Sequence, residues 1–258
     1  MKLLSEAFNK LDLASYEILY LYSDLREIGK LKASGVSKKE FLDQILDYLL
    51  TLTSTIIVPT FSYTTTGIFN PKSTPTNLGA LNSHTVYRND VVRSDHPLFS
   101  HACIGKYSNL LKNIGKSAFG NESVYARLNN LDHVRTAFLY IGRPVEAGNT
   151  MPHYLEQANC VPYRFEKKFP TKVFKDNLSY QTGYSAFVRK QDNPINDYAF
   201  SFALAFESLY MAGAIKEVLL KGKFTNISLI ELQEFVQILN MGLANNPNYF
   251  LKTPYKIT

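Results

Sequence analysis

Three short apolar segments, at residues 16–22, 54–63 and 134–142, constrain the fold more than any other feature of the sequence. Each has the length of a buried strand and is too short to span a membrane. The polar residues Ser23-Asp24 follow the first segment, and the last segment ends in the turn-forming Gly142. In α/β folds, ligands bind in the loops between such strands and the helices that follow. We therefore predict an α/β fold with a central mixed sheet flanked by helices and a cleft between small lobes.

Two capping-box patterns predict helices. Ser37 with Glu40 begins the first, and its apolar residues share one face: Phe41, Leu42, Ile45, Leu46, Leu49 and Leu50. Ser228 with Glu231 predicts a second, ending at Leu239 or Leu243. Further helices are expected over 149–157 and 198–215, and residues 64–95 are expected to form a long functional loop. Because no linker composition or repeat interrupts the chain, we predict one domain over 1–258.

The chain is basic, with 28 Lys+Arg against 22 Asp+Glu, a net charge of +6 and a pI near 9.1. This balance favours anionic partners such as phosphates. The densest basic stretch, Arg164–Lys175, is interrupted by apolar residues, so we predict a solvated loop there and no nucleic-acid binding. With no secretory signal and no apolar run of about 18 residues, we expect a cytoplasmic protein without membrane contact. The oligomeric state is left open, a homo-oligomer included.

Two cysteines, Cys103 and Cys160, are present without metal-ligand spacing, so neither a disulfide nor a metal site is predicted. Cys103 is weighed as a nucleophile. Its neighbours Ala102 and Ile104 favour a buried small hydrophobe instead.

Two polar clusters are candidates for chemistry. The first, Arg93-Ser94-Asp95-His96-Pro97-Leu98-Phe99-Ser100-His101, is either a functional turn or a polar loop that bonds its own backbone. The second, Thr150-Met151-Pro152-His153-Tyr154-Leu155-Glu156, places His153 and Glu156 on one helix face. Such a carboxylate can orient an imidazole as a general base, although spacing alone favours an ordinary surface pair.

Several segments form a recognisable set in chain order: IIVPTF (56–61), TPTNLGAL (74–81), RSDHPLFSHACIG (93–105), LYIG (139–142), TMPHYLE (150–156) and Arg164. Together they resemble the aminoglycoside 3-N-acetyltransferase family over about residues 17–252. The chain resembles either an antibiotic N-acetyltransferase or a sugar N-acyltransferase member of the family. The resemblance implies direct transfer of an acyl group from acetyl-CoA or a longer acyl-CoA to the amine of a small-molecule amino sugar.

The resemblance also implies roles for particular residues. His153 is expected to be the general base, oriented by Glu156. The candidate substrate or oxyanion contacts are Ser94, His96, Ser100 and Thr150. The candidate coenzyme contacts are Ser23, Gly35 and Arg93. The sequence departs from the family after the first strand, where Tyr22-Ser23-Asp24-Leu25 replaces His-Ser-Ser-Leu and Lys32-Ala33-Ser34-Gly35-Val36 replaces a Gly-Gly loop.

The net charge indicates which acceptor to expect first. Because a polycationic aminoglycoside requires carboxylates that a +6 protein does not obviously supply, we expect a nucleotide-linked amino sugar. The alternatives are an aminoglycoside acceptor, with antibiotic resistance as the outcome, and a non-catalytic protein that binds coenzyme A or a sugar.

Overall fold

A seven-stranded mixed sheet forms the centre of the structure, a computed structural model that describes residues 1–31, 33–176, 179–190, 199–220 and 225–255. Its strands are β1 (Ile18–Ser23), β2 (Thr55–Pro59), β4 (Val91–Arg93), β5 (His101–Gly105), β6 (Thr136–Ile141), β11 (Lys216–Leu219) and β12 (Asn226–Glu231). They lie side by side in the order β11-β12-β6-β1-β2-β5-β4.

The middle of this sheet is parallel and its two flanks are antiparallel. β1 pairs in parallel with β2 on one side and β6 on the other. β5 and β4 extend the sheet beyond β2, and β12 and β11 extend it beyond β6, all by antiparallel pairing. Central parallel strands are buried on both faces, which explains why β1, β2 and β6 read as continuous apolar runs. The mixed α/β fold and these three strands are confirmed.

Helices cover both faces of the sheet. They are α1 (Lys2–Lys10), α2 (Lys38–Leu52), α3 (Ala80–Val86), α4 (Val124–Asn129), α5 (Met151–Ala158), α6 (Ala203–Met211) and α7 (Leu232–Asn245). Successive side chains of a strand point to opposite faces. Accordingly Leu19 and Leu21 of β1 pack with residues of α1 and α2, while Tyr20 and Tyr22 pack with residues of α4, α5 and α7. Among the described residues, no helix is both long and apolar enough to cross a bilayer.

Two smaller sheets lie outside the central one. β7 (Arg164–Lys168) pairs with β10 (Ser185–Arg189), and β8 (Lys172–Asp176) pairs with β3 (Ile68–Phe69) and β9 (Ser179–Gln181). The loop predicted over Arg164–Lys175 is therefore wrong, although most side chains of β7 are solvent-exposed. The segment 64–95, predicted as a loop, contains β3, α3 and β4.

The two capping-box predictions have opposite outcomes. At α2 the box is confirmed, because Ser37 Oγ accepts the Glu40 N–H at 3.1 Å and the Glu40 carboxylate accepts the Ser37 N–H at 2.7 Å. At Ser228 it is wrong, because that residue lies inside β12, opposite Tyr140 of β6, and α7 begins at Leu232. The helix expected over 198–215 spans Ala203–Met211, and Tyr198 lies outside the described residues.

Candidate active site

Two adjoining cavities lie at the edge of the sheet where β1, β2 and β6 end. The larger has a volume of about 610 Å³ and the smaller about 160 Å³. They share Ser23, Leu78 and Arg143 as lining residues. The larger reaches Lys38 at the start of α2, and the smaller reaches Thr150, just before α5. The cleft thus lies beyond the carboxyl ends of the parallel strands, where α/β folds bind ligands.

Gly142 lets the end of β6 approach the end of β1 closely. Its φ is +68°, and a Cβ at this position would lie 2.4 Å from the carbonyl oxygen of Asp24. Any other residue would require backbone movement at this point. The glycine therefore places Arg143, the next residue, beside Ser23 at the junction of the two cavities.

Asn149 attaches the start of α5 to the sheet. Its Oδ1 accepts the N–H of Met151 at 3.0 Å, and its Nδ2 donates to the hydroxyl of Tyr140 in β6 at 2.8 Å. Pro152 stands in the first turn of α5, where its missing N–H costs no helical hydrogen bond. These contacts fix the position of Thr150, which lines the smaller cavity, and of His153 one turn later.

His153 and Glu156 form a hydrogen-bonded pair on α5. The distance from His153 Nδ1 to Glu156 Oε2 is 2.6 Å. The imidazole packs edge-on against the rings of Phe119 and Phe200, at centroid distances of 5.5 and 5.1 Å. Glu156 is fully buried, whereas 22% of the His153 side chain is exposed. The pair is therefore not an ordinary surface pair, because its carboxylate is fully buried and most of the imidazole is covered.

Two consecutive residues hold the buried carboxylate of Glu156. The Tyr163 hydroxyl donates to Oε1 at 2.9 Å. The Arg164 Nε lies 2.9 Å from Oε2 as an ion pair, and Nη1 of the same guanidinium donates to the Phe187 carbonyl of β10 at 3.1 Å. A buried carboxylate is strongly destabilising unless it is paired and hydrogen-bonded. Tyr163 and Arg164 supply both kinds of contact.

The contacts at His153 Nδ1 determine its tautomer. Nδ1 is near Glu156 Oε2, at 2.6 Å, and near Arg164 Nη2, at 3.1 Å. It cannot donate to the carboxylate and accept from Arg164 at once. The shorter contact to an ionised acceptor is the stronger, so the proton lies on Nδ1. The lone pair is then on Nε2, which forms no hydrogen bond with any residue that the structure describes.

Burial and neighbouring charges set the pKa values of His153 and Glu156. Burial lowers the pKa of His153, and the positive charges of Arg164 and Arg189 lower it further. Glu156 raises it, but the net result is a lowered pKa. Burial alone would raise the pKa of Glu156, but the hydrogen bond and charge of His153, together with Arg164, lower it overall. Near neutral pH the histidine is therefore neutral and the glutamate ionised, which are the states that a general base and its orienting carboxylate need.

The polar cluster at residues 93–101 connects β4 to β5. Ser94 is fully buried and its Oγ accepts the His101 N–H at 2.9 Å. His96 is also buried: its Nδ1 accepts two backbone N–H groups and its Nε2 donates to the Ser185 carbonyl at 3.2 Å. Burial lowers the pKa of His96 to about 4. Ser100 donates to the Thr60 carbonyl at 2.7 Å. None of the three lines either cavity. Ser94 and His96 Nδ1 bond backbone groups of the cluster itself, whereas Ser100 and His96 Nε2 bond residues elsewhere in the chain.

Arg93 is engaged in the same way. Its five N–H groups face the acceptors Thr60 Oγ1, Thr60 O, Ser100 Oγ, Pro71 O and Thr74 O. Burial lowers its pKa to about 10. The guanidinium therefore ties the segment around residues 60–74 to β4 and has no donor left for a coenzyme phosphate.

The remaining predicted positions divide between the cleft and the outside. Ser23 lines both cavities. Gly35 lies in an exposed turn with φ +82° and lines neither, and the neighbouring Lys32 lies outside the described residues. Cys103 is fully buried in β5, and burial raises the pKa of its thiol to about 12, so it is the buried small hydrophobe that its neighbours indicate.

Sequence reasoning missed Tyr163 and Arg143. A tyrosine next to Arg164 carries no pattern that points to Glu156. Arg143 follows the third apolar segment directly. A cation at the carboxyl end of a predicted central strand indicates a possible ligand contact, so the sequence could have pointed to Arg143.

A cleft at the ends of parallel strands, together with a buried carboxylate bonded to a partly exposed histidine, is an arrangement typical of α/β enzymes. His153 itself lines neither cavity and lies on α5, which begins directly after the cavity residue Thr150. The sequence profile described as aminoglycoside 3-N-acetyltransferase matches residues 21–241. The chain therefore belongs to the aminoglycoside 3-N-acetyltransferase family, and it is an acyl-CoA-dependent N-acyltransferase that acts on an amino group.

Several solved structures share this fold. Aminoglycoside acetyltransferase AAC(3)-Xa is 18% identical with a TM-score of 0.77, covering 96% of this chain and 93% of that one. AAC-IIIb, solved with CoASH, is 15% identical with a TM-score of 0.74, covering 98% and 97%. AAC-VIa, bound to sisomicin, is 19% identical with a TM-score of 0.73, covering 94% and 96%. No curated protein sequence matches the chain.

Proposed function

We propose that the protein transfers an acetyl group from acetyl-CoA to a primary amine of an aminoglycoside, with His153 as the general base. The observation that carries this proposal is the His153–Glu156 pair, which leaves the Nε2 lone pair of the partly exposed His153 without a hydrogen-bond partner among the described residues. The family supports the acetyl donor and the amine acceptor. It favours an aminoglycoside over the nucleotide-linked amino sugar that the net charge suggested.

The proton has a simple path in this arrangement. As the amine nitrogen bonds to the acyl carbon, its proton passes to His153 Nε2, and Glu156 stabilises the imidazolium through Nδ1–H. The bond between the acyl carbon and sulfur breaks, and the proton leaves with the sulfur as free thiol. Glu156 stays ionised throughout, because Arg164 balances its charge in the protein interior.

The residues of the cleft suit a coenzyme of this kind. The larger cavity combines apolar lining, from Leu25, Phe41 and Leu42, with the cations Arg26 and Lys38. An apolar wall with a few placed charges suits a molecule with a flexible thiol arm and phosphate groups. Coenzyme A supplies the activated acyl group. Thr150, at the end of the smaller cavity, is the proposed contact for the reacting groups.

Turnover with two acceptor classes tests the proposal. The purified protein is mixed with acetyl-CoA and either an aminoglycoside such as sisomicin or a nucleotide-linked amino sugar, and thiol release and product mass are measured. Saturable acetylation of the aminoglycoside supports the proposal. Turnover of only the nucleotide-linked sugar would restore the acceptor predicted from charge. Coenzyme binding without turnover of any amine would indicate a non-catalytic protein.

A further inference from the structure

Arg143 carries a positive charge that the described part of the protein leaves unpaired. It forms no ion pair with any described carboxylate. The nearest candidate, Asp24, is engaged by Arg26, which contacts both of its oxygens. Arg143 and Asp24 both line the larger cavity. The pKa of Asp24 is lowered mainly by Arg26, and the charge of Arg143 adds to that lowering. A partly buried, unpaired cation is costly unless a ligand compensates it.

The guanidinium of Arg143 is also held in a fixed position. Its Nη2 donates to the carbonyls of Ala147 and Gly148, at 3.0 and 3.3 Å. Its Nε is buried and has no hydrogen-bond partner among the described residues. Nη2 is thus anchored to the backbone, whereas Nε and Nη1 donate to no residue that the structure describes. Arginine presents its donors as a rigid fork that matches phosphate oxygens.

Arg143 lies at the junction of the two cavities of the cleft. Arg143 lines the larger cavity, which reaches Lys38 at the start of α2, and the smaller cavity, which ends at Thr150. A residue at their junction stands between the cationic end of the cleft and the acetyl-transfer end. In coenzyme A, the diphosphate stands between the nucleoside and the pantetheine arm. The place of Arg143 between the two ends of the cleft therefore matches the place of the diphosphate between the two ends of coenzyme A.

On these observations, and resting on the proposed function, we propose that Arg143 binds the diphosphate of coenzyme A and so directs the thioester towards α5. The ligand chemistry is a phosphate anion. A phosphate or another anionic group on the acceptor would share that chemistry, and the experiment has to separate the two sources.

The test compares three probes by calorimetry: coenzyme A, 4′-phosphopantetheine and pantetheine, which carries no phosphate. We expect Arg143→Gln to weaken coenzyme A and phosphopantetheine binding on the order of tenfold or more, as for loss of a charge-assisted hydrogen bond. Pantetheine affinity should stay unchanged, which also shows that the site is folded. Arg143→Lys should lose less, since it keeps the charge without the fork.

Arg135→Gln is the matched control, because it removes the same charge from the opposite end of β6, roughly 20 Å away. Its coenzyme affinity should equal that of the wild type. Equal coenzyme affinity of Arg143→Gln and wild type would overturn the proposal, and a raised KM for the acceptor alone would assign Arg143 to the acceptor instead. Failure of the wild type to bind coenzyme A would count against the proposed function itself.

Discussion

His153 Nδ1 lies 2.6 Å from Oε2 of Glu156, and the carboxylate is fully buried while the ring reaches solvent. This relationship gives the ring its direction: the bonded nitrogen faces the interior and the other is free to accept a proton. We expect His153→Ala to lower kcat on the order of 10²-fold or more, because it removes the general base. Coenzyme affinity, measured by calorimetry, should be unaffected. An unchanged kcat would remove His153 from the mechanism.

Glu156→Gln tests the charge of the carboxylate at nearly constant shape. The change leaves Arg164 buried without its ion-pair partner, so the free energy of unfolding should fall by about 3–5 kcal/mol. We also expect kcat to fall roughly tenfold or more, since the amide no longer stabilises the imidazolium. Tyr163→Phe is the control, because it removes one hydrogen bond to Oε1 and no charge. Equal losses of kcat in the two variants would contradict a role for the charge.

The pH dependence of kcat/KM reports the protonation of His153. A base must be neutral to act, so activity is lost as pH falls through its pKa. Because burial lowers that pKa, the midpoint of the acid limb should lie below 6.5, the usual value for histidine. Arg164→Gln removes a charge that lowers the pKa, so its midpoint should move to higher pH. Arg164→Lys keeps the charge and should move it less, and identical midpoints in all three proteins would exclude this coupling.

The sequence predicts an element correctly when the hydrogen bonds that define it join residues close together in the chain. The box at Ser37 is confirmed because both of its hydrogen bonds form within one turn. The same pattern at Ser228 fails because residues 226–231 pair with β6 and β11, so tertiary pairing overrides the local preference.

In the candidate site, too, contacts between neighbours in the chain can be predicted and contacts between distant residues cannot. His153 and Glu156 meet because they are one turn apart on a helix, which spacing can predict. Ser94, His96 and Arg93 look equally suited to chemistry in the sequence. The partners of His96 and Arg93, which are Ser185 and Thr60, are distant in the chain, so only the folded structure shows that these side chains are already engaged.

Arg93→Lys separates a structural role from coenzyme binding. Lysine has three donors in place of five and cannot reproduce the fork, so several buried acceptors lose their partners. We expect the free energy of unfolding in urea to fall on the order of 3 kcal/mol, while the KM for acetyl-CoA stays within about twofold of wild type. A large rise in that KM with unchanged stability would restore Arg93 as a coenzyme contact.

His101 makes stability depend on pH. Its ring is buried among Tyr20, Phe61 and Tyr125, neither ring nitrogen has a hydrogen-bond partner among the described residues, and burial lowers its pKa to about 3. The unfolded chain protonates this histidine near pH 6.5 and the folded protein does not. The contribution of His101 to the free energy of unfolding is therefore fully present above pH 6.5 and is lost as pH drops. Between pH 6.5 and 4 the protonation of His101 in the unfolded chain lowers the free energy of unfolding by on the order of 3 kcal/mol.

His101→Phe should remove that contribution, since phenylalanine keeps the ring packing and does not titrate. Urea unfolding measured across this pH window should show a smaller loss of stability for the variant than for the wild type. His96, His153 and Glu156, whose pKa values are also lowered in the folded protein, are present in both proteins and contribute to the loss that remains. A variant that loses stability with falling pH as steeply as the wild type would show that His101 is not a source of the dependence.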